Sequence, residues 1–300
     1  MNDLPTAPTP ASVVAVVVTL SPDDGLADRV AVLRDQVAGL VVVDNGSGPA
    51  ADRILARVGE DCGAEVVRNQ ANRGIAAALN QGIARAADRG ARWVLTLDQD
   101  TLPLPGLVAE AMRTYEAFPE RALLAVVAGR QRDHPAPAVA DGRTWEEVPA
   151  LITAGSLVSL AAYRSIGPFR EDFFVDYVDI EFCLRARRAG YHVVQGNAPT
   201  IEHSIGRPTK HRLIFRDVTP TNHSPARRYY ITRNRVLVWR RHWSREPGYV
   251  LLDALGAAKE FVKVLLFEDS RRVKVRSMGR GIRDAAMGRS GPVDRSAGPG

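Results

Sequence analysis

The chain has 300 residues, of which 45% are hydrophobic and 25% are charged, a composition that is typical of globular proteins and excludes wholesale disorder. Lys and Arg outnumber Asp and Glu by 40 to 34, and two cysteines, Cys62 and Cys183, are too few for a disulfide framework. Residues 1–10 lack the basic flank and apolar run of a signal peptide, so we expect a cytoplasmic protein.

Apolar, β-branched runs alternate with helical patterns through the first third of the chain. Strands are predicted at residues 13–20, 40–44, 65–68 and 93–97, and helices at 26–37, 49–58 and 74–89. Strands that alternate with helices indicate a mainly parallel sheet with right-handed crossovers. The predicted fold class is therefore α/β, with a Rossmann-like, mostly parallel sheet flanked by helices.

The rest of the chain continues this pattern and ends in helices. Strands are predicted at 123–128, 150–160, 191–195 and 199–203, and helices before Gly190 and at 227–243 and 249–268. We predict two domains, residues 1–245 and a C-terminal extension, 246–300, with an amphipathic helix and a basic tail. That extension predicts peripheral contact with the inner membrane surface. The alternative is a helix that packs on the rest of the protein.

Polar residues follow each of the first four predicted strands. They are Thr19, then Asp44-Asn45-Gly46-Ser47, then residues 69–74, then Asp98-Gln99-Asp100. Ligands of parallel α/β sheets bind beyond the carboxyl ends of the strands, so these four positions predict one binding site. The chain has no P-loop and no G-x-G-x-x-G motif, which argues against ATP hydrolysis and dinucleotide redox chemistry.

Two of these turns have both a functional and a local interpretation. Asp98 and Asp100 face the same side of an extended chain and could bind one divalent cation together with phosphates, or they could form a solvated turn. Asp44 or Asn45 could hydrogen-bond a nucleobase edge, or both could simply stabilise the turn. The loop before the helix at residue 74 is suited to phosphate or sugar oxygens, and equally to a capped helix start.

A second group of acids lies in the stretch FFVDYVDIEFCLR, residues 173–185. Asp179 stands at a helix start and is the better candidate for a general base, whereas Asp176 could orient a ligand. Glu181 and Arg185 are spaced as an i,i+4 pair, so a structural role is favoured for Glu181. His203 could be a third metal ligand or a structural histidine.

Taken in order, these motifs resemble the family 2 inverting glycosyltransferases of the GT-A fold, and among them bacterial rhamnosyltransferases that use dTDP-L-rhamnose. The resemblance runs from about residue 13 to 243. The matching stretches are VVVDNGS at 41–47, NRGIAAALNQG at 72–82, LTLDQD at 95–100, the block 152–191, EHSIG at 202–206 and RYYITRN at 228–234.

The resemblance implies roles for individual residues. Contacts to the nucleotide sugar are implied for Thr19, Asp44, Asn45, Asn72, Gly74 and Asp98. Asp100 and His203 are implied ligands of Mg²⁺ or Mn²⁺, and Asp179 is the implied base. Further candidate substrate contacts are Gly155, Asp176, Tyr177, Arg233 and Asn234. The chain departs from the family pattern at Val178, where many relatives have an acid, and at Asn45, which replaces an Asp.

The expected function is metal-dependent transfer of a sugar, by the resemblance L-rhamnose, to a glycan or lipid-linked acceptor in cell-envelope polysaccharide synthesis. The alternatives are a family 2 transferase that uses a UDP-hexose or UDP-galactofuranose, and a non-catalytic nucleotide-sugar-binding protein. Arginines and aromatic residues at 227–243 would suit nucleic acid. That interpretation leaves the acidic strand ends unexplained, so we expect no nucleic-acid partner.

Overall fold

The computed structural model describes residues 6–133, 142–202, 211–213, 216–218 and 222–293, with the backbone alone for the two short ranges. The chain divides into two compact units. Unit 1 comprises Met1–Arg170 and Asp179–His203, and unit 2 comprises Glu171–Val178 and Ser204–Gly300. Residue 245, the predicted domain boundary, lies inside unit 2, and the division into 1–245 and 246–300 stays a prediction.

The described residues of unit 1 form a nine-stranded sheet. Its strands are β1 (Val13–Thr19), β2 (Gly39–Asp44), β3 (Glu65–Arg68), β4 (Trp93–Asp98), β5 (Leu102–Pro103), β6 (Leu124–Gln131), β7 (Trp145–Glu147), β8 (Ser156–Ser159) and β9 (His192–Glu202). They lie in the order β3-β2-β1-β4-β8-β6-β9-β5, and β7 pairs with β9.

The strand directions divide this sheet into two parts. Strands β1 to β4 are parallel to their neighbours, as the alternating pattern predicted. Strand β8 is antiparallel to both β4 and β6, while β5 and β7 are antiparallel to β9. The predicted α/β class with a mostly parallel sheet is confirmed. Strand β6 is parallel to β9, and both run in the same direction as β1 to β4, because β8 is antiparallel to β4 and to β6. Strands β5, β7 and β8 run the opposite way.

Helices cover both faces of the parallel strands. Unit 1 contains α1 (Leu26–Ala31), α2 (Asp52–Cys62), α3 (Ile75–Asp88), α4 (Leu107–Ala117), α5 (Leu160–Ile166) and, from Asp179 onward, α6 (Val178–Arg188). All seven residues of β1 are buried, since one face packs with α1 and α2 and the other with α3. A Cβ on Gly82 of α3 would lie 2.2 Å from Val16, so a larger residue there would push this helix off the sheet.

The described part of unit 2 contains three long helices and one pair of short antiparallel strands. The helices are α7 (Pro225–His242), α8 (Pro247–Phe267) and α9 (Arg271–Ala286), and the antiparallel strands are β10 (His211–Leu213) and β11 (Arg216–Val218). Helices α7 and α9 pack closely at Gly281, which has no side chain to separate them. A Cβ there would lie 2.7 Å from the carbonyl oxygen of Tyr229. The Tyr229 hydroxyl donates to Asp284 at 2.9 Å. Among the described residues, no helix has the length and apolarity that a bilayer span requires.

Four elements differ from the sequence-based expectation. The helix predicted at 26–37 ends at Ala31, where the backbone tightens into i,i+3 turns. The strand predicted at 150–160 is limited to Ser156–Ser159, since Gly155 adopts a φ of +80°. The two strands predicted at 191–203 form the single strand β9. The basic stretch predicted as a tail is the helix α9.

Candidate active site

The polar ends of strands β1 to β4 meet at one edge of the sheet. Thr19 pairs in register with Asp44, Val18 pairs with Asp98, and Asp44 pairs with Arg68. Because these strands are parallel, the loops that follow them leave the sheet on the same side. The sequence-based prediction that the four strand ends lie together is confirmed, while the roles of the individual residues stay predictions.

Gln99 fixes the turn between the two carboxylates of the Asp98-Gln99-Asp100 element. The buried Thr19 hydroxyl donates to Gln99 Oε1 at 2.7 Å, and the backbone N–H of Leu20 donates to the same atom at 2.8 Å. Arg29 Nε donates to the Gln99 carbonyl oxygen at 2.7 Å. These bonds tie the end of β1 to the turn after β4. Gln99 therefore orients this turn.

Asp44 is buried, and its two carboxylate oxygens have different surroundings. Oδ1 accepts hydrogen bonds from the backbone N–H and the hydroxyl of Ser47. Oδ2 accepts no hydrogen bond from any residue that the structure describes, and Arg68 Nε lies 3.6 Å from it. A buried charged acceptor without a donor is destabilising, so this oxygen is suited to a ligand N–H or O–H.

Asn45 braces the neighbouring loop with its side-chain amide. Its Nδ2 donates to Asn72 Oδ1 at 3.0 Å and to the Gly74 carbonyl oxygen at 3.2 Å. Its Oδ1 accepts from the Arg73 N–H at 3.0 Å. A Cβ on Gly46 would lie 2.6 Å from the backbone of residue 71, so only glycine permits this approach. Asn45 and Asn72 thus hold the loop in place, which the sequence did not reveal.

Asp98 and Asp100 supply the carboxylates for the predicted metal site. Asp98 is partly exposed at the end of β4, and Asp100 is exposed in the following turn. Hard oxygen ligands of this kind suit Mg²⁺ and Mn²⁺ when phosphates and waters complete the coordination. Within the described ranges, no group of three or more His, Cys, Asp or Glu residues could hold a metal ion. His203, the other predicted ligand, lies outside the described residues.

Asp179 and Glu181 occupy the first turn of α6 but have different surroundings. Asp179 is partly exposed, and its Oδ1 accepts a hydrogen bond from the Ile180 N–H at 2.8 Å. The N-terminal end of a helix is positively polarised and favours negative charge there. Glu181 is fully buried and pairs with Arg185 at 3.0 Å. The structural interpretation of Glu181 is confirmed, and Asp179 is the more accessible carboxylate.

The aromatic residues on either side of Asp179 in the sequence, Tyr177 and Phe182, are buried in two separate environments. Phe182 packs on Phe169, with ring centroids 4.4 Å apart in unit 1. In unit 2, the Tyr177 hydroxyl donates to Asp253 Oδ1 at 2.9 Å and contacts Arg235. Burial raises the pKa of Tyr177 well above its ordinary value. Tyr177 is therefore a hydrogen-bond donor to Asp253 rather than a titrating group.

The segment Glu171–Val178 has an unusual backbone that α7 holds in place. Phe174, Asp176 and Tyr177 have positive φ angles of 66°, 61° and 63°, a region that costs of order 1–3 kcal/mol for each residue other than glycine. Asn234 Nδ2 lies 2.8–2.9 Å from the carbonyl oxygens of residues 173, 175 and 176. Arg233 Nη2 donates to the Phe173 carbonyl oxygen at 3.1 Å.

Two arginines of α7, Arg227 and Arg233, complete the support of this segment within unit 2. Arg227 pairs with Asp176 at 3.0 Å. Arg233 lies over the ring of Tyr230, with its guanidinium carbon 5.0 Å from the ring centroid. Four of the residues predicted to contact the substrate therefore bind the protein itself in this structure. They are Asp176, Tyr177, Arg233 and Asn234.

Gly155, the fifth predicted substrate contact, has a backbone role. Its φ is +80°, and its N–H donates to the Thr96 carbonyl oxygen at 2.9 Å. A Cβ at this position would lie 2.7 Å from the side chain of Ile201. The glycine thus allows the chain to enter β8 against β4 and β9.

Comparison with known families fits this arrangement of strand ends and carboxylates. Residues 15–164, half of the chain, match the family described as Glycosyl transferase family 2. The chain belongs to this family. The match covers the first four strands with their polar ends.

Individual relatives of this glycosyltransferase sharpen the comparison. The chain is 27% identical over 250 residues to the dTDP-rhamnosyl transferase RfbF of Shigella flexneri. This match covers 77% of this chain and 81% of the relative. The mannosyltransferase PcManGT of Pyrobaculum calidifontis, solved with GDP-Man and Mn²⁺, has a TM-score of 0.55 and 18% identity over 95% of this chain and 79% of its own. TarS residues 1–349 of S. aureus, solved with UDP-GlcNAc, give a TM-score of 0.50 and 14% identity over 93% of this chain and 92% of theirs. The fold is that of the GT-A glycosyltransferases.

Sequence reasoning on this glycosyltransferase missed three residues that position others. Gln99 orients the Asp98-Gln99-Asp100 turn, and Asn80 binds both the Phe169 backbone and the Tyr163 hydroxyl at 2.8–3.1 Å. Asp253 accepts a hydrogen bond from the Tyr177 hydroxyl. Each bond joins residues at least 70 positions apart, so no local pattern identifies them. Asn80 and Gln99 do lie within the motifs that carry the family resemblance.

Proposed function

We propose that the protein is an inverting glycosyltransferase that moves L-rhamnose from dTDP-L-rhamnose to a hydroxyl of a glycan or lipid-linked acceptor in cell-envelope polysaccharide synthesis. The observation that carries the proposal is the buried Asp44 oxygen at the edge where four parallel strands end. The relative RfbF, described as a dTDP-rhamnosyl transferase, supports the choice of donor.

The donor nucleotide is proposed to bind at these strand ends. Asp44 Oδ2 would accept the N–H of the nucleobase, which supplies the hydrogen bond that this buried oxygen lacks within the described residues. Thr19, Asn72, Gly74 and Asp98 would line the same site. Asn45 would act through the loop that it braces, since its amide already bonds Asn72, Arg73 and Gly74.

A divalent cation, Mg²⁺ or Mn²⁺, is part of the proposal, and the donor set fits it in kind. Asp100 would hold the ion beside Asp98, with His203 as the further predicted ligand. When bound, such an ion stabilises the negative charge that develops on a leaving diphosphate. The structural neighbour PcManGT was solved with Mn²⁺, which supports a metal in a related fold.

Asp179 is the proposed general base. The acceptor oxygen attacks the anomeric carbon of the sugar, its proton moves to the Asp179 carboxylate, and the nucleoside diphosphate leaves with the bonding electron pair. A positioned base contributes roughly 10²–10⁴-fold to such a step. One displacement without a covalent enzyme intermediate inverts the anomeric configuration, in contrast to retaining glycosidases, which use a second carboxylate as nucleophile.

A second candidate uses the same site with another nucleotide sugar, such as a UDP-hexose or UDP-galactofuranose. The neighbours solved with GDP-Man and UDP-GlcNAc show that related folds accept different nucleotides. A third candidate is a protein that binds a nucleotide sugar without turnover, and this candidate does not require Asp179. We also propose that the enzyme is cytoplasmic and that residues 246–300 contact the inner membrane surface peripherally.

A donor panel tests the proposal. dTDP-L-rhamnose, UDP-sugars and GDP-mannose are incubated with the full chain and Mg²⁺ or Mn²⁺, and release of nucleoside diphosphate is measured. The proposal predicts release from dTDP-L-rhamnose above all, and loss of release with excess chelator or in Asp100→Asn. Preference for a UDP-sugar would favour the second candidate, and binding without release the third. Full activity in chelator would remove the metal from the mechanism.

A further inference from the structure

Helix α8 carries an exposed apolar surface along one side. The α8 apolar face consists of Leu251, Leu252, Leu255, Val262, Leu265 and Leu266, which are 38–71% exposed. Their spacing places them on one side of a helix that turns once every 3.6 residues. Folded proteins rarely expose a contiguous apolar surface of this kind unless it binds a partner or a membrane.

The opposite side of α8 is bonded to other residues of unit 2. Asp253 accepts the hydroxyl of Tyr177 at 2.9 Å, and Glu260 accepts from Arg235 Nη1 at 3.2 Å. A surface helix ordinarily turns its apolar side inward and its charged side outward. In α8 the two acids face inward and the leucines face outward. This reversal indicates that the outward side has an apolar partner.

The charges beside the α8 apolar face are mainly positive. Lys259 is exposed, and helical spacing places it between the leucines of the face. At the end of the helix, Arg271 Nη1 donates to the Leu265 carbonyl oxygen at 3.1 Å, and Arg272 is exposed beside it in sequence. Asp269 is the exposed acid in the turn that follows. The apolar face with cations beside it is therefore suited to a partner that has an apolar interior and an anionic surface.

We propose that α8 lies in the interface of an anionic lipid bilayer, with the α8 apolar face among the acyl chains and Lys259, Arg271 and Arg272 at the headgroups. An amphipathic helix with cations beside its apolar side binds in this way without crossing the membrane. A second copy of the chain is the less suitable occupant, because two such faces would bring like charges together.

This inference rests on the lipid-linked acceptor of the proposed function, and it adds a physical link to the catalytic segment. Asp253 on the inner side of α8 binds Tyr177, and Tyr177 lies two residues before Asp179 in the chain. Helix α8 would therefore bind the bilayer on one side and, on the other, position the segment that precedes the proposed base. A lipid-linked acceptor would then arrive from the surface on which α8 rests.

Co-sedimentation with vesicles tests the inference on the full chain. Vesicles of phosphatidylcholine alone are compared with vesicles that also contain phosphatidylglycerol, at low and high salt. The wild type should bind the anionic vesicles more tightly, and binding should weaken as salt rises. The double variant Leu252→Glu with Leu266→Glu should bind at least ~10-fold more weakly. Lys259→Glu should weaken binding to the anionic vesicles alone.

Leu123→Glu is the matched control, because Leu123 is an exposed leucine of unit 1, 37% exposed. It should bind vesicles as the wild type does, and circular dichroism should show that each variant is folded. Equal binding by the double variant, absence of binding by the wild type, or a wild-type dimer that the double variant disrupts would each overturn the inference. Vesicle binding without binding of any nucleotide sugar would instead overturn the proposed function alone.

Discussion

Side-chain hydrogen bonds hold both the strand ends of unit 1 and the segment Glu171–Val178 of unit 2, but these bonds serve different purposes. In unit 1, Asn45 and Gln99 brace loops while Asp44 Oδ2 receives no hydrogen bond from the described residues. In unit 2, Asn234 bonds the backbone carbonyl oxygens of a segment with positive φ angles. One region leaves a buried acceptor that the proposed donor nucleotide would satisfy, and the other fixes a backbone.

This difference separates residues that contact a substrate from residues that position them. Asp176, Tyr177, Arg233 and Asn234 lie in motifs that resemble the family, and all four have protein partners. Membership in a motif therefore does not by itself imply contact with the substrate. A positioning residue is expected to affect stability as well as turnover, whereas a base should affect turnover alone.

The largest expected effect is that of Asp179→Asn. The change keeps the size of the side chain but removes the base, so turnover should fall by at least ~10²-fold with little change in donor affinity. Steady-state kinetics and thermal unfolding measure both effects. The thermal midpoint should stay close to that of the wild type, because Asp179 is partly exposed.

Glu181→Gln on the same helix gives the contrasting result. Glu181 is buried against Arg185, so its loss should lower the thermal midpoint while turnover of the folded fraction persists. If Glu181→Gln removed turnover and Asp179→Asn did not, the assignment of the base would be wrong.

The next effect is that of Asn234→Ala in unit 2. The carbonyl oxygens of residues 173, 175 and 176 would lose the Asn234 donor, although Phe173 keeps its bond from Arg233. Each buried group left without a partner costs about 1–3 kcal/mol. We expect a lower free energy of unfolding by denaturant and a fall in turnover that exceeds the change in donor KM. Asn197→Ala is the control, since Asn197 donates to the Arg143 carbonyl oxygen in a different part of the chain. Equal effects of the two changes would contradict a specific role for Asn234.

The smallest effect is a pH dependence that belongs to unit 2. Burial, with the neighbouring Arg227 and Arg228, lowers the pKa of His223 to about 4 from its ordinary 6.5. A pKa that is lower in the folded state means that the unfolded state binds the proton first, so stability falls as the pH decreases from about 6.5 towards 4. His223→Asn should lose less stability between pH 7 and pH 5 than the wild type. Identical losses of thermal midpoint would show that His223 does not contribute.

The first half of the fold could be predicted from local patterns. Buried β-branched runs such as Val13–Thr19 and the polar residues after them mark both the strands and the edge where they meet. Asp-x-Asp after such a run likewise indicated an oxygen-rich site. The antiparallel β8 could not be predicted in this way, because strand direction depends on how distant segments pair.

The support of the segment Glu171–Val178 was not predictable from the same patterns. Asn234 lies about 60 positions from the carbonyl oxygens that it binds, and a single sequence does not reveal such a bond. Helix α9 was missed because its arginines, together with one lysine, resemble a solvated tail. Its buried residues Lys274, Gly281 and Asp284, which include the close contact with α7, make it a helix of unit 2.

The central claim is that Asp44 binds the donor nucleotide and Asp179 serves the chemical step. Isothermal titration of dTDP into the wild type, Asp44→Asn and Asp179→Asn, all with Mg²⁺, tests it most directly. Asp44→Asn should weaken dTDP binding by about 1.5–3 kcal/mol, the range for a hydrogen bond to a charged group, while Asp179→Asn should bind as the wild type does. Unchanged binding by Asp44→Asn, or equal weakening in both variants, would contradict the account.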